Sequence, residues 1–547
     1  MVGLDSDTRE MILESLNDFA ARHLPFDYLL ELDKNGEFPE EILRKMYDPE
    51  ILGLHLVLMP EEYGGFGGST YDVYRLCEAL ARIDLGIATA IFATFLGTDP
   101  IRVGGTEEQK NKWMTKIADE GALVAYGATE PDAGSDLGAS TTRAEAVMEN
   151  DVITGYRITG TKQWISNGGL ADIYLILART PKGFCWFIME KGSEGLSINA
   201  PEDKHGIRAA NTAAFTMDNV YVPADQLVGE KEGFGLMQAQ AVFGYTRLMV
   251  AAFGLGGGWD AIERAIKYSQ QRIQAGGPLS EKQGYTHKLI VPYAVRLEAS
   301  KAYIEEIAAR LDGGEEGLQT EGAIAKYLAT ETGNAAAEAA IQALGGYGYT
   351  REYAVEKIKR DVRITMIYEG TNEIMEMTIA RNRWQNHLKS RETYYLELSR
   401  NLAELHKSAP DVGAGTVSLA LAALNSIFAN CRAQKLTRNQ HVLFKLGELA
   451  ALAETSMVFS QSAAKEEYNE TVKFDTDTWR AMSRTYARET ALKIALDGIH
   501  IVLGAGTGNS SALEQTMKVS EILNSQRGMI ADMDLISKSL NSVFRSK

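Results

Sequence analysis

Glu369 is the residue on which chemistry could turn. It lies in the run MIYEGTNEI at 366–374, between Tyr368 and Gly370, with short polar side chains after it. A carboxylate beside a glycine has an accessible backbone N–H next to it, because no Cβ crowds that side. A base and a donor in one residue suit removal of a proton α to a carbonyl, the donor steadying the oxygen that gains charge. An ordinary exposed glutamate before a turn would use the same residues, so the companions of Glu369 must decide.

Two other stretches could bind a polar cofactor. YGATEPDAGSDL at 126–137 crowds Thr129, Ser135 and Asp136 onto a loop opened by Gly134 and stiffened by Pro131. Backbone N–H groups and hydroxyls gathered in this way can hold a phosphate or the edge of a heterocycle; a plain capped turn has the same composition. GTKQWISNGG at 160–169 sets Trp164 two residues before Ser166, which on a strand places both on one face. By contrast, GAGTG at 504–508 is a poor dinucleotide fingerprint. Its third glycine comes one position early, and an alanine-rich helical pattern precedes it where a strand is needed, so a turn between helices is expected. The glycines at 254, 256, 257 and 258 fall inside helical sequence and suit close packing. The histidines form no HExxH and no pairs at ligand spacing, so no metal site is expected.

The elements that must position these residues change texture along the chain. Residues 1–121 read mainly as helices, with Asp5 and Ser6 able to cap the first and another through 74–84. Short apolar alternations separated by Gly, Asn and Asp then argue for a β-barrel or sandwich at 122–232. Helical periodicity returns over 233–390, suggesting a four-helix-type bundle. A further helical region, 391–547, shows periodic stretches at 416–431, 442–465, 477–503 and from 511 onward. The fold class expected is therefore α+β multidomain, with an extra helical C-terminal domain. The helix, glycine turn and helix around 491–508 echo those around 334–359, a possible internal duplication.

The 547 residues carry a net charge of −17, which argues against a nucleic-acid groove and against adhesion to acidic membranes. The acidity is confined to the first 390 residues; the tail beyond holds 18 Lys and Arg against 17 Asp and Glu. Three scattered cysteines favour a reducing compartment. The first thirty residues resemble no signal or transit peptide, and no uninterrupted apolar run approaches the ~20 residues of a membrane span. A cytoplasmic protein is expected, or one of the mitochondrial matrix if it is a processed eukaryotic form.

Taken in order, PEEYGGFG, TEPDAGSD, GTKQWISNGGLAD, HGIRAANTAAFTMDNVYVP and QALGGYGYTREYAVEKIKRDVRITMIYEGTNEI resemble the acyl-CoA dehydrogenases, over roughly residues 10–390. These are flavoproteins that bind FAD without a Rossmann fold. The resemblance implies that Thr129 and Ser135 contact the flavin ring and pyrophosphate, that Trp164 packs near the isoalloxazine, and that Ser166 bonds its N5 region. It assigns Gln342, Gly345 and Gly346 to a helix end that binds FAD across a dimer interface, and Arg272 to the partner subunit's FAD. Ala275 stands where a phenylalanine is usual, which leaves the adenine-side contact in doubt. Thr371 and Glu373 match positions touching FAD after the catalytic loop. Tyr368, Gly370, Arg247 and Phe92 fall on the acyl-CoA side, Phe92 being a bulky group in the segment that lines the acyl pocket.

Relatives carry the base either at the glutamate of YEGT or just before an arginine on an earlier helix. Here Thr246 precedes Arg247, so Glu369 stands alone. The implied reaction is FAD-dependent α,β-dehydrogenation of an acyl-CoA in fatty acid β-oxidation, with electrons passed to an electron-transfer flavoprotein. The tail resembles the extension of the very-long-chain members, which are dimers, so a homodimer is expected. An acyl-CoA oxidase and a non-catalytic assembly protein of the same fold are the rival readings.

Overall fold

The structure, a computed structural model, describes residues 3–506 and 508–545. Thr507, within the glycine-rich turn singled out above, lies outside the described residues. Two compact units are present. One holds the chain as far as Met249 together with Ala308–Glu316, and the other holds Val250–Ile307 with the chain from Gly317 onward.

In the first unit, helices begin where short polar side chains can satisfy the free N–H groups of a first turn. Asp5 caps Ser6–His23, Ser69 and Asp72 form a capping box on Thr70–Ile83, and Asp84 caps Leu85–Gly104. Thr106 and Gln109 box Glu107–Glu120, and the Gln109 amide also donates to the carbonyls of Asp225 and Leu227. One side chain thus starts a helix and ties it to the end of the β region.

That β region is a seven-stranded sheet in the order β1-β4-β2-β3-β7-β6, with β5 on the other edge of β4. The strands are β1 Val124–Gly127, β2 Arg143–Glu149, β3 Val152–Ser166, β4 Ile173–Thr180, β5 Gly183–Glu190, β6 Leu196–Pro201 and β7 Thr212–Pro223. The run IYLILA of β4 is apolar throughout because both of its faces are buried. Ile173, Leu175 and Leu177 join a core with Trp113, Met114 and Ile117 of the flanking helix, while Tyr174, Ile176 and Ala178 join Phe187 and Phe215 on the other side. Burial of each such side chain contributes ~1.5–3 kcal/mol. Along one edge of β4, β1 pairs with Ile173 to Ile176 and β2 reaches only Arg179. The chain between β1 and β2 leaves the sheet there, and it is this excursion that carries Thr129 and Ser135.

The second unit is helical. Gly235–Gln271, Val291–Asp312, Gln319–Leu344 and Asn372–Lys389 supply the expected bundle, the first belonging to this unit from Val250 onward and the second as far as Ile307. Its glycines permit near contact of backbones: a Cβ on Gly254 would lie 2.7 Å from the carbonyl oxygen of Ala329, and one on Gly258 would lie 2.9 Å from the Cα of Gly333. The dinucleotide-like run fails on its element, since the unbroken helix Thr476–Gly504 leads into it.

The extension consists of Tyr394–Ser408, Ala414–Ala433, Gln440–Ala463, Thr476–Gly504 and three further helices to Val543. Ala414–Ala433 is, among the described residues, the one helix long and apolar enough to cross a membrane, and 61% of its apolar window is buried inside the protein. Arg383 of the bundle bonds Glu454 of the extension through Nε and Nη2 at 2.7 Å each, and also bonds Glu321. Tyr395 adds a third contact to Glu454 at 3.0 Å. A buried arginine needs such pairing, since an unmatched charge there costs several kcal/mol.

Candidate active site

The first unit assembles its polar loop around a buried ion pair. The Lys162 ammonium lies 2.8 Å from Glu130 Oε1 and donates to the Ala128 carbonyl at 3.1 Å, with neither side chain appreciably exposed. Glu130 also accepts from the Thr141 N–H and hydroxyl and from the Thr142 N–H. Burial pushes the Glu130 carboxyl up, but these partners outweigh it and hold the group at about 2. Burial pushes Lys162 down. The carboxylate in the middle of TEP is therefore a clamp that fixes Thr129 on one side and leaves Ser135 exposed on the far side of the loop. Thr129 in turn accepts from the N–H of Gln163 through its carbonyl, at 3.0 Å.

Trp164 follows directly, and its placement corrects the simple two-residue alternation. Between Lys162 and Ile165 the pairing of β3 with β7 slips by one residue, and Trp164 has φ +58°. Alternation without this bulge would place the indole with the fully buried Lys162; the bulge re-aims it, leaving it 56% exposed. Ser166 is half-buried at the end of β3 opposite Thr212, a buried residue whose hydroxyl has no hydrogen-bond partner. The turn after Ser166 is held by Asn167, whose amide donates to the Ala90 carbonyl at 2.9 Å, and by Asn211, whose Oδ1 accepts from the N–H of Gly169. Ala90 belongs to the Leu85–Gly104 helix that carries the buried Phe92. Also in this unit, Arg247 is buried with its guanidinium 4.9 Å from the Phe243 ring centre, and the Thr246 hydroxyl donates to the Val242 carbonyl.

In the second unit, Glu369 is half-buried with φ +54°, followed by Gly370 at φ +84°. Two left-handed residues in succession, the first not glycine, make a costly backbone found mostly where function holds it. Before the pair, the N–H groups of Ile367 and Tyr368 both bond the Ile364 carbonyl. After it, the Gly370 carbonyl accepts from Lys326 at 2.8 Å, and Thr371 caps Asn372–Lys389, its hydroxyl accepting from Ile374 at 3.4 Å. Glu373 is exposed on the first turn of that helix, and Tyr368 is half-buried before Glu369.

Gln342, Gly345 and Gly346 form an exposed helix end, with Gly345 at φ +60° and ψ −131° and open space where either glycine would carry a Cβ. Arg272 is exposed just past Gly235–Gln271, and Tyr268 of that helix meets Tyr347 edge-on, which brings the two helix ends together. The sequence reading passes over Glu130, Lys162, Lys326 and Asn372. For Glu130, Lys326 and Asn372 the available signal is a polar residue whose neighbours in sequence are apolar or already assigned; Lys162, between Thr161 and Gln163, carries none.

Comparison with known proteins settles the family. The acyl-CoA dehydrogenase N-terminal domain matches residues 6–121, the middle domain 125–220 and the C-terminal domain 232–383. An acyl-CoA dehydrogenase of Bacillus subtilis is 36% identical over 380 residues, 68% of this chain and 96% of its own. A structure solved for work on the electron transferring flavoprotein of Acidaminococcus fermentans is 33% identical, with TM-score 0.64 over 70% of this chain and 98% of its own. An acyl-CoA dehydrogenase from Bacillus anthracis, solved with FAD, shares the fold over 98% of this chain and 96% of its own, with TM-score 0.80 at 24% identity. That last likeness spans the extension.

The chain belongs to the acyl-CoA dehydrogenase family and is an FAD-dependent oxidoreductase acting on acyl-CoA. Each unit by itself holds residues that fit that cofactor: in the first, an indole turned outward by a bulge and an unpartnered buried hydroxyl at Thr212 across from Ser166, and in the second, bare glycine backbone at 345–346.

Proposed function

We propose that this enzyme converts a fatty acyl-CoA to the trans-2-enoyl-CoA in fatty acid β-oxidation, working in the cytoplasm as a homodimer and passing electrons to an electron-transfer flavoprotein. The observation that carries the reading is the strained turn at Glu369, anchored on both sides and free of any second carboxylate before Arg247. FAD supplies the two-electron acceptor for the β hydrogen when it is bound.

The rest falls to the chain. Glu369 removes the α proton, and its own N–H is the donor that meets the thioester oxygen as charge builds there. Thr129, Ser135, Trp164 and Ser166 hold the ring and pyrophosphate, assisted by Thr371 and Glu373. Gln342, Gly345, Gly346 and Arg272 form an exposed surface suited to a second subunit's cofactor. Tyr368, Gly370, Arg247 and Phe92 shape the acyl-CoA side. The likeness to the structure from the Acidaminococcus fermentans flavoprotein work supports the electron acceptor.

Anaerobic titration with a panel of acyl-CoAs tests the reaction and ranks substrates together. Glu369→Gln should keep its yellow colour and bind acyl-CoA yet fail to bleach; normal bleaching in that variant would sink the mechanism. Hydrogen peroxide formed in step with enoyl-CoA under air would replace the flavoprotein by oxygen as acceptor.

A further inference from the structure

We propose that Lys326 is a positioning residue for the reaction, holding the Gly370 carbonyl so that Glu369 keeps its left-handed backbone and its aim. The inference rests on the reading of Glu369 as the base. Lys326 lies within the helix Gln319–Leu344 and is fully buried. Its ammonium donates to the Gly370 carbonyl and to Asn372 Oδ1, each at 2.8 Å. The Asn372 amide donates in turn to the Thr330 hydroxyl at 3.1 Å and to Glu331 at 2.9 Å. Thr330 bonds the Lys326 carbonyl at 2.8 Å. One turn of a rigid helix therefore grips the chain at 370 and again at 372.

What lies between the anchors makes the grip matter. The Ile364 carbonyl fixes the N–H groups of residues 367 and 368, and Lys326 fixes the carbonyl of residue 370. Glu369 stands between them, at φ +54°. A glutamate has no preference for that region, and relaxing it toward ordinary φ would swing both its N–H and its carboxylate. Burying an ammonium is costly unless its donors are met. Here one acceptor it meets is the peptide next to Glu369, so part of the cost of burial is tied to the geometry of the turn. Misplacing a reacting group by about 1 Å can slow a reaction ~10²-fold.

The test separates positioning from mere support. A 3-thia-acyl-CoA, with sulfur in place of the β carbon, can lose an α proton but cannot give up a hydride, so deuterium wash-in from D2O reports proton abstraction alone. Lys326→Met should retain FAD and bind the thia-acyl-CoA within about threefold, yet exchange the α hydrogen ~10²-fold more slowly, with kcat for bleaching falling in parallel. If the methionine variant does not fold, Lys326→Arg keeps charge and stem but alters reach, and should exchange at least ~10-fold more slowly. Wild-type exchange in a flavin-loaded Lys326 variant, with only the melting temperature lowered, would overturn the inference. Glu369→Gln serves as the reference: if it still exchanges, the base assignment fails, whereas if it is silent and Lys326→Met is normal, only the positioning role fails.

Discussion

Lys162 and Glu130 meet at 2.8 Å out of contact with solvent, Glu130 next to Thr129 and Lys162 at the edge of the bulge that holds Trp164. Removing one partner strands the other, which typically costs ~3–5 kcal/mol. Lys162→Met is expected to lower the melting temperature and to lose FAD on dilution more readily than wild type, because the two segments proposed to hold the flavin lose a shared anchor. The pair also fixes a pH dependence. Glu130 is held at about 2 against an ordinary 4.5, so its contribution is present above pH 4.5 and lost as pH falls toward 2. Melting temperatures from pH 6 to pH 3 should fall for wild type and fall less steeply for Lys162→Met/Glu130→Gln. Equal slopes would refute the clamp.

Two groups on the Asn372–Lys389 helix should respond to pH in opposite directions. Burial pushes Glu376 up to about 7, with Tyr327 opposing and Glu448 of the extension reinforcing. Its folded value exceeds its unfolded one, so stability is greatest below pH 4.5 and declines as pH rises through about 7. His387 is fully buried, packed by Trp384 and Phe428, and burial lowers it from 6.5, Glu392 opposing and Arg432 adding. Its stability is present above 6.5 and lost as pH falls from there toward its depressed folded value. Glu376→Gln should therefore gain on wild type between pH 5 and pH 8, and His387→Phe should gain on moving from pH 8 to pH 5. Denaturant midpoints at the two pH values decide each; the opposite ordering in either variant refutes its assignment.

Gly447 of the extension lies directly against the helix that follows Glu369 and Gly370. A Cβ on Gly447 would stand 2.2 Å from the Glu376 carbonyl oxygen, a distance no side chain tolerates. Gly447→Val must push Gln440–Ala463 away from Asn372–Lys389, at a cost of ~1–3 kcal/mol for overpacking, or more where backbone blocks relief. Slower flavin bleaching with unchanged flavin content is expected, since the displaced helix begins at the Thr371 cap beside Gly370. A variant with wild-type melting temperature and rate would show that the helices separate without strain.

How much of this is legible in the sequence depends on whether a residue's role is local. Glu369, Thr129 and Trp164 stand in runs whose neighbours are themselves unusual, so spacing and order exposed them. The alternating strands and long helices showed in their periods for the same reason. Lys326 sits in AIAKYLAT, where a lysine among alanines reads as a solvated helix position, and only the fold brings the Gly370 carbonyl to it. The bulge at Trp164 was hidden because strand alternation predicts a shared face with Ser166 and says nothing of a register slip against β7. Gly447 is one of many glycines in a 51-glycine chain, and its use depends on a partner 71 positions earlier. The sequence reading passes over the helix Tyr394–Ser408, although Tyr395, Leu398, Leu402 and Leu405 recur at helical spacing.

The strained turn at the base should show a trade between stability and activity. Glu369 occupies φ +54°, a region asparagine enters more readily than glutamate. Glu369→Asn should therefore melt at or slightly above the wild-type temperature while losing turnover, the gain reflecting relief of ~1 kcal/mol of backbone strain. Gly370→Ala should do the reverse on stability. At φ +84° an alanine is strained, and its Cβ would lie 2.7 Å from Met375 Cε, so a loss of ~1–3 kcal/mol is expected together with slower bleaching. Calorimetry on the two variants at matched flavin content measures both. A marked fall in melting temperature for Glu369→Asn would mean that the glutamate side chain contributes more to the fold than its backbone costs, and the strain would no longer count as a sign of function.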